Sequence, residues 1–178
     1  VLINVGASGS HAGQAISPVV SNNEISVLTG LWAHGVGLEG ETPGAMVLNN
    51  KIDGLTGTGG SNGVKIEDND GAATVEIHEN SFTNLGFGIQ NVMAAVVNAT
   101  CNWYGTAVPA AVAAQISGPV SYSPFLTNGN DDQPSTFGFQ PVPGSCNGFA
   151  TDLYVNDNVQ TGDVYTTAIG NDANPGTA

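Results

Sequence analysis

The chain has 178 residues and a formal net charge of −13, with 15 acidic side chains against 2 basic ones and no arginine. That balance excludes nucleic acid as a partner, because phosphate neutralisation needs clustered Lys and Arg, and no run of 18 apolar residues is present to insert into a bilayer. With 25 Gly and 9 Pro but 40% hydrophobic residues, the chain is expected to be ordered by turns and sheets rather than by helices.

In chain order, the opening "VLINVGASGS" lacks a basic n-region and reads as mid-protein sequence rather than a signal peptide. An element of an asparagine followed two residues later by an inward apolar residue then recurs four times. "SNNEIS" carries Asn23 and Ile25, "LNNKID" Asn50 and Ile52, "HENSFT" Asn80 and Phe82, and "TCNWYG" Asn102 and Tyr104. The intervals are 27, 30 and 22 residues, irregular as when insertions fall in loops between fixed strands. A glycine-led alternating run stays in phase with it: Val36 and Leu38, Val64 and Ile66, Phe87 and Ile89. Before the later corners lie period-two pairs: Ala45 and Val47, Val75 and Ile77, Val97 and Ala99. Trp32, in "TGLWAHG", is read as lying in a loop outside this register, and as the aromatic to watch for an exposed contact.

A unit of this size with short strands and no helical periodicity cannot bury its apolar face alone and must stack on its neighbours. Coils stacked at about 4.8 Å would bring Asn23, Asn50, Asn80 and Asn102 into one ladder of side-chain amides, beside a line of Ile25, Ile52, Phe82 and Tyr104. Glycine at the other corner would supply the positive φ of a sharp bend. The expected fold is all-β, a right-handed parallel β-helix.

The repeat resembles those of the pectate-lyase-like superfamily of right-handed parallel β-helices. Residues 98–126, "NATCNWYGTAVPAAVAAQISGPVSYSPFL", are similar to the terminal coil of β-helix domains in large bacterial surface proteins, which end in an Asn-Trp-Trp-Gly step, a Gly-Pro and a Tyr-Ser-Pro-Trp-Leu closure. Tyr104 and Phe125 replace two of those tryptophans. The resemblance implies coils with a capping coil over 1–127, a Gly/Pro-rich linker or strap over 128–150, and the start of a following β-helix unit over 151–178. Tandem copies in a longer chain are expected.

For catalysis, β-helix lyases need a cationic base, and only Lys51 and Lys65 are present; both are read as solvated surface lysines. Hydrolases of this fold cluster carboxylates, for which Glu67, Asp68, Asp70, Glu76 and Glu79 are candidates, although "EDNDG" reads as a turn. Structural Ca2+ is the alternative use of acidic loops, with Asp68, Asp70, Asp157 and Asp163 as candidate ligands and Asp131 and Asp132 beside them; EF-hand spacing is not met. His11, His34 and His78 lack paired metal spacing. Trp103 is expected to cap the end of the hydrophobic stack. Cys101 and Cys146 form an even pair, and a disulfide between them would pin the strap across the closing coil in an oxidising medium. The expected role is a non-catalytic structural or adhesive segment of a large, secreted, repetitive cell-surface protein meeting extracellular glycans or other surface proteins, with no cofactor beyond structural Ca2+. The alternative is a fragment of a polysaccharide lyase or hydrolase whose catalytic coils lie outside these residues.

Overall fold

The computed structural model describes residues 3–7, 17–26, 28–40, 42–67 and 74–146. Strand β1 (Ile3–Ala7) precedes three coils of one plan. The first is β2 (Val19–Ser21), β3 (Glu24–Ser26) and β4 (Thr29–Gly40); the second is β5 (Met46–Leu48), β6 (Lys51–Asp53) and β7 (Thr56–Glu67). The third is β8 (Glu76–His78), β9 (Ser81–Thr83) and β10 (Phe87–Asn91), and a closing coil adds β11 (Val97–Asn98), a helix α1 (Pro109–Ala113), β12 (Ile116–Ser117) and β13 (Val120–Ser121). Equivalent strands pair in parallel into three sheets, β1-β4-β7-β10-β12, β13-β11-β8-β5-β2 and β3-β6-β9. The chain is a parallel β-solenoid of about 3 turns, nearly all-β.

Register is fixed from the inside. Val20, Val47 and Ile77 align, as do Ile25, Ile52 and Phe82, and all are buried. Burying each such side chain is worth roughly 1.5–3 kcal/mol, and a one-residue slip would turn a whole row to solvent. Tyr104 continues the second row, its ring 5.6 Å from that of Phe82; burial pushes its hydroxyl above the usual phenol range.

The four repeat asparagines lie in one line. Asn23 Nδ2 donates to Asn50 Oδ1, Asn50 Nδ2 to Asn80 Oδ1 and Asn80 Nδ2 to Asn102 Oδ1, each at 2.9 Å. Each accepting oxygen also takes the backbone N–H of the asparagine in the preceding coil, at 2.9–3.1 Å. The residue before each ladder asparagine is left-handed: Asn22 (φ 57°), Asn49 (55°), Glu79 (57°) and Cys101 (61°). Non-glycine residues reach that region at a cost of roughly 1–2 kcal/mol, which the ladder bonds offset. At the next corner Gly54 (φ 66°) takes the expected glycine bend, whereas Asn84 (φ 55°) does so in the third coil.

The register of the third coil differs from the glycine-led alternation. Ile89 pairs with Val64 and Asn91 with Ile66, two residues away from the expected alignment of Phe87 and Ile89. The cause is a glycine row, Gly35, Gly63 and Gly88, facing the bulky line of the following corner. A Cβ on Gly35 would lie 2.7 Å from Ile52 Cγ2, and one on Gly88 2.8 Å from Tyr104 Cδ1. Gly88, not Gly86, therefore sets the phase. Asn91 fills the vacated inward position, its Nδ2 donating to the Ala95 and Pro119 carbonyls at 2.8 Å each.

The closing coil corrects a second expectation. Trp103 does not cap the stack: it aligns with Ser81, one residue out of phase with the inward Asn102 and Tyr104. Gly129 lies so close over its indole that a Cβ there would overlap the ring. Helix α1, which its five residues are too few to announce by periodicity, starts at Pro109, a favoured first helical residue, and sends the fully buried Val112 into the core.

Replacing Asn80 by Ala should strand the Asn50 backbone N–H in the core, remove the amide bond to the Val47 carbonyl and destabilise the fold by about 1–3 kcal/mol. Denaturant unfolding beside an exposed control, Asn130→Ala, measures it; equal losses would remove the ladder's special weight.

Candidate functional site

Two regions draw polar side chains together: the outer face of the β4-β7-β10 sheet, and the ladder corner where the C-terminal part of the described chain folds back.

On the sheet, β4 and β7 are each 12 residues long, and their pairing shifts register between Gly30 and Trp32. Trp32 is thus a strand residue opposite Gly60, not a loop residue as its sequence context suggested, and it is 59% exposed. Its indole lies against glycine backbone. A Cβ on Gly59 would sit 3.1 Å from Cε2 and Cη2, and one on Gly60 3.3 Å from Cζ3, so a side chain at either place would press on the ring. Lys65 Nζ stands 5.5 Å from the indole centroid and 2.7 Å from Glu67 Oε2. With only 16% of its side chain exposed, Lys65 is an ion-paired residue rather than the solvated lysine expected.

His34 stacks beside Trp32, centroids 6.3 Å apart. Asn62 Nδ2 lies 3.1 Å from His34 Nδ1 and donates to Gln90 Oε1 at 3.2 Å; the first contact is a hydrogen bond when Nδ1 is the unprotonated nitrogen of a neutral ring. Burial, reinforced by the Lys65 charge, holds the His34 pKa below its ordinary value. Asn62 is 2% exposed, and its Oδ1 has no hydrogen-bond partner. A trough of about 530 Å³ is lined by Thr29, Thr56, Thr58, Ser61, Asn84 and Leu85 among others, and by no residue of this cluster.

The carboxylates weighed for catalysis or metal are dispersed. Glu67 pairs with Lys65. Glu76 Oε2 accepts from Asn98 Nδ2 at 2.7 Å and lies 2.5 Å from His78 Nε2. Glu79 Oε2 takes Asn49 Nδ2 at 3.2 Å. Asp53, which the sequence reading passed over, accepts from Thr83 Oγ1 (2.6 Å) and Asn84 Nδ2 (2.8 Å), bonds that hold its carboxyl below the usual range. Asp131 Oδ1 takes the backbone N–H of Gln133 and Gln140. Among the described residues no group of three or more His, Cys, Asp or Glu is placed to hold a metal ion. Asp68, Asp70, Asp157, Asp163 and His11 lie outside the described residues. Lys51 is exposed, aligned with Glu24 and Ser81.

At the corner, Cys101 and Cys146 are joined in a disulfide, Cα atoms 5.1 Å apart and 45 residues apart in sequence. The intervening chain leaves the closing coil at Leu126, whose N–H donates to the Asn102 carbonyl at 3.0 Å. It then crosses the ladder corner back to the earlier coils. Phe139, 2% exposed, donates its N–H to the Asn49 carbonyl (2.9 Å) and accepts Asn49 Nδ2 (3.2 Å), while Gln140 Nε2 reaches Asn22 Oδ1 at 3.3 Å. Gly138, with φ 91°, meets the backbone of Asn49 and Asn22 where no side chain would fit. The strap doubles on itself, with the Asp132 N–H donating to the Gln140 carbonyl at 2.7 Å, and returns to Cys101 through the disulfide.

A histidine held neutral by its surroundings contributes stability that is present above the unfolded pKa of about 6.5 and is lost as pH falls through the lower folded value. An NMR titration of the His34 ring should accordingly give a midpoint below 6.5, rising when Lys65→Met removes the neighbouring charge. A midpoint at or above that of an unfolded peptide would contradict the arrangement.

Comparison with known protein families, with curated proteins and with solved structures finds no match.

Proposed function

We propose that the chain is a non-catalytic structural and adhesive segment of a large, secreted, repetitive cell-surface protein, related to the pectate-lyase-like β-helices. The observation that carries this reading is the disulfide-closed strap: Cys101–Cys146 fastens a 45-residue loop across the corner on which every coil hangs. Disulfides persist in oxidising, extracytoplasmic surroundings, and closing a loop of this length stabilises by about 4 kcal/mol through the entropy of the unfolded chain. Together with the amide ladder, it favours a stiff rod element over a moving catalytic scaffold.

The fate of the carboxylates supports the same reading. Asp53, Glu76 and Glu79 are each tied to a residue of a neighbouring coil and Glu67 to Lys65 of its own strand, as in a scaffold that uses its acids to hold structure together. The remaining charge, −13 overall, keeps an extended rod soluble and unaggregated in a salty medium. In this role the described coils and their closure form the stiff part, and residues 128–146 are the strap that fastens them.

Two assays on the natively secreted protein test the proposal. Alkylation under denaturing conditions without reductant should label neither cysteine, and incubation with pectate, alginate or neutral polysaccharides in the presence of Ca2+ should release no unsaturated or reducing ends. Two labelled thiols would overturn the extracellular setting. Product release abolished by Lys65→Met or Glu67→Gln would replace the structural reading with a polysaccharide-active enzyme.

A further inference from the structure

We propose that the outer face of the β4-β7-β10 sheet around Trp32 is a binding platform for a neutral glycan. This deepens the adhesive part of the role proposed above and rests on it.

The case begins with an indole that the fold does not use for its core. Trp32 is 59% exposed, yet it is not loose: Gly59 and Gly60 lie against the ring so closely that a Cβ on either would have to push it aside by a few tenths of an ångström, and the register shift at Gly30/Trp32 places it there. The run "TGTGGSNG" supplies the bare backbone on which a flat aromatic can rest. A supported ring that is 59% exposed is suited to the apolar C–H face of a pyranose, through the attraction of polarised C–H groups to the negative face of the indole.

The polar groups around the ring complete the match. Lys65 and His34 lie against the ring, with Glu67 paired to Lys65 and Gln90 tied to His34 through Asn62, so that polar groups able to address sugar hydroxyls stand beside the indole. Asn62 adds an independent sign: it is 2% exposed, and its Oδ1 lacks a donor, whereas buried acceptors are ordinarily satisfied. A rotation of the Asn62 amide that presented this oxygen to a ligand hydroxyl would satisfy it.

Charge selects the class. The lone cation of the platform is neutralised by Glu67 at 2.7 Å, and the chain as a whole carries −13. A uronate polymer would meet net repulsion; a neutral glycan would not.

The test is a titration of the full chain, followed by calorimetry and by NMR shifts of the two indoles, with linear gluco-, xylo-, manno- and N-acetylglucosamine oligomers and with galacturonate oligomers as the charged comparison. At least one neutral series should bind saturably and shift the Trp32 indole. Trp32→Ala should weaken binding at least about tenfold with the thermal midpoint unchanged, because the exposed indole is not part of the core. Trp103→Phe and Lys51→Ala should leave affinity as it was. The proposal is overturned by no binding to any neutral series at millimolar concentration, by affinity insensitive to Trp32→Ala, or by binding confined to galacturonate. Binding accompanied by bond cleavage would keep the platform and overturn the non-catalytic reading, so the two failures are distinguishable.

Discussion

The asparagine side chain is the one group in this fold that must bond in three directions at once. Each inner ladder amide donates to the next asparagine and to backbone carbonyls of its own and the preceding coil: Asn50 to Val20 and Leu48, Asn80 to Val47 and His78. Its oxygen in turn accepts both the backbone and side-chain N–H of the asparagine before it. A primary amide has two donor hydrogens and two lone pairs, so three-centre sharing on the donor side fills its capacity. No other uncharged side chain of that length can do so, and the corner geometry, the left-handed residue before it and the alignment of the apolar rows follow from satisfying it.

The ladder has a direction and an end. Every amide donates toward the following coil until Asn102, whose Nδ2 turns to the carbonyls of Ile77, Ala99 and Thr100. That is where the regular coils stop, where α1 brings Val112 into the core and where the strap departs. The left-handed corner residue there is the cysteine that anchors the strap. The strap then returns along the same corner and bonds to Asn49 and Asn22, the residues beside the ladder in the earlier coils. End and edge are thus closed by one segment, which matters for a solenoid because each coil is otherwise supported only by its neighbours.

The ladder and the apolar rows were legible in the sequence because every coil reuses the same residue type at the same place, so that Asn23, Asn50, Asn80 and Asn102 could be aligned despite unequal intervals. The disulfide was legible from the position of Cys101 beside Asn102. The phase of the third coil was not: Gly86 and Gly88 both precede an apolar residue, and only the bulk of Tyr104 in the next coil decides between them. Trp32 was misplaced because a register shift and flanking glycines erase the alternation around it. Its partnership with Lys65 joins residues from different coils, and so leaves no local pattern. Asp53 was missed for the same reason, since Thr83 and Asn84 reach it from the next coil.

The most direct measurement is hydrogen exchange of the side-chain amides. If the ladder is the constraint on which the coils depend, the Nδ2 protons of Asn50 and Asn80 will exchange only through the same global opening as the backbone N–H groups of β5 to β10, with matching dependence on denaturant. Exchange of those side chains as fast as that of the exposed Asn130, while the neighbouring strands remain protected, would contradict it.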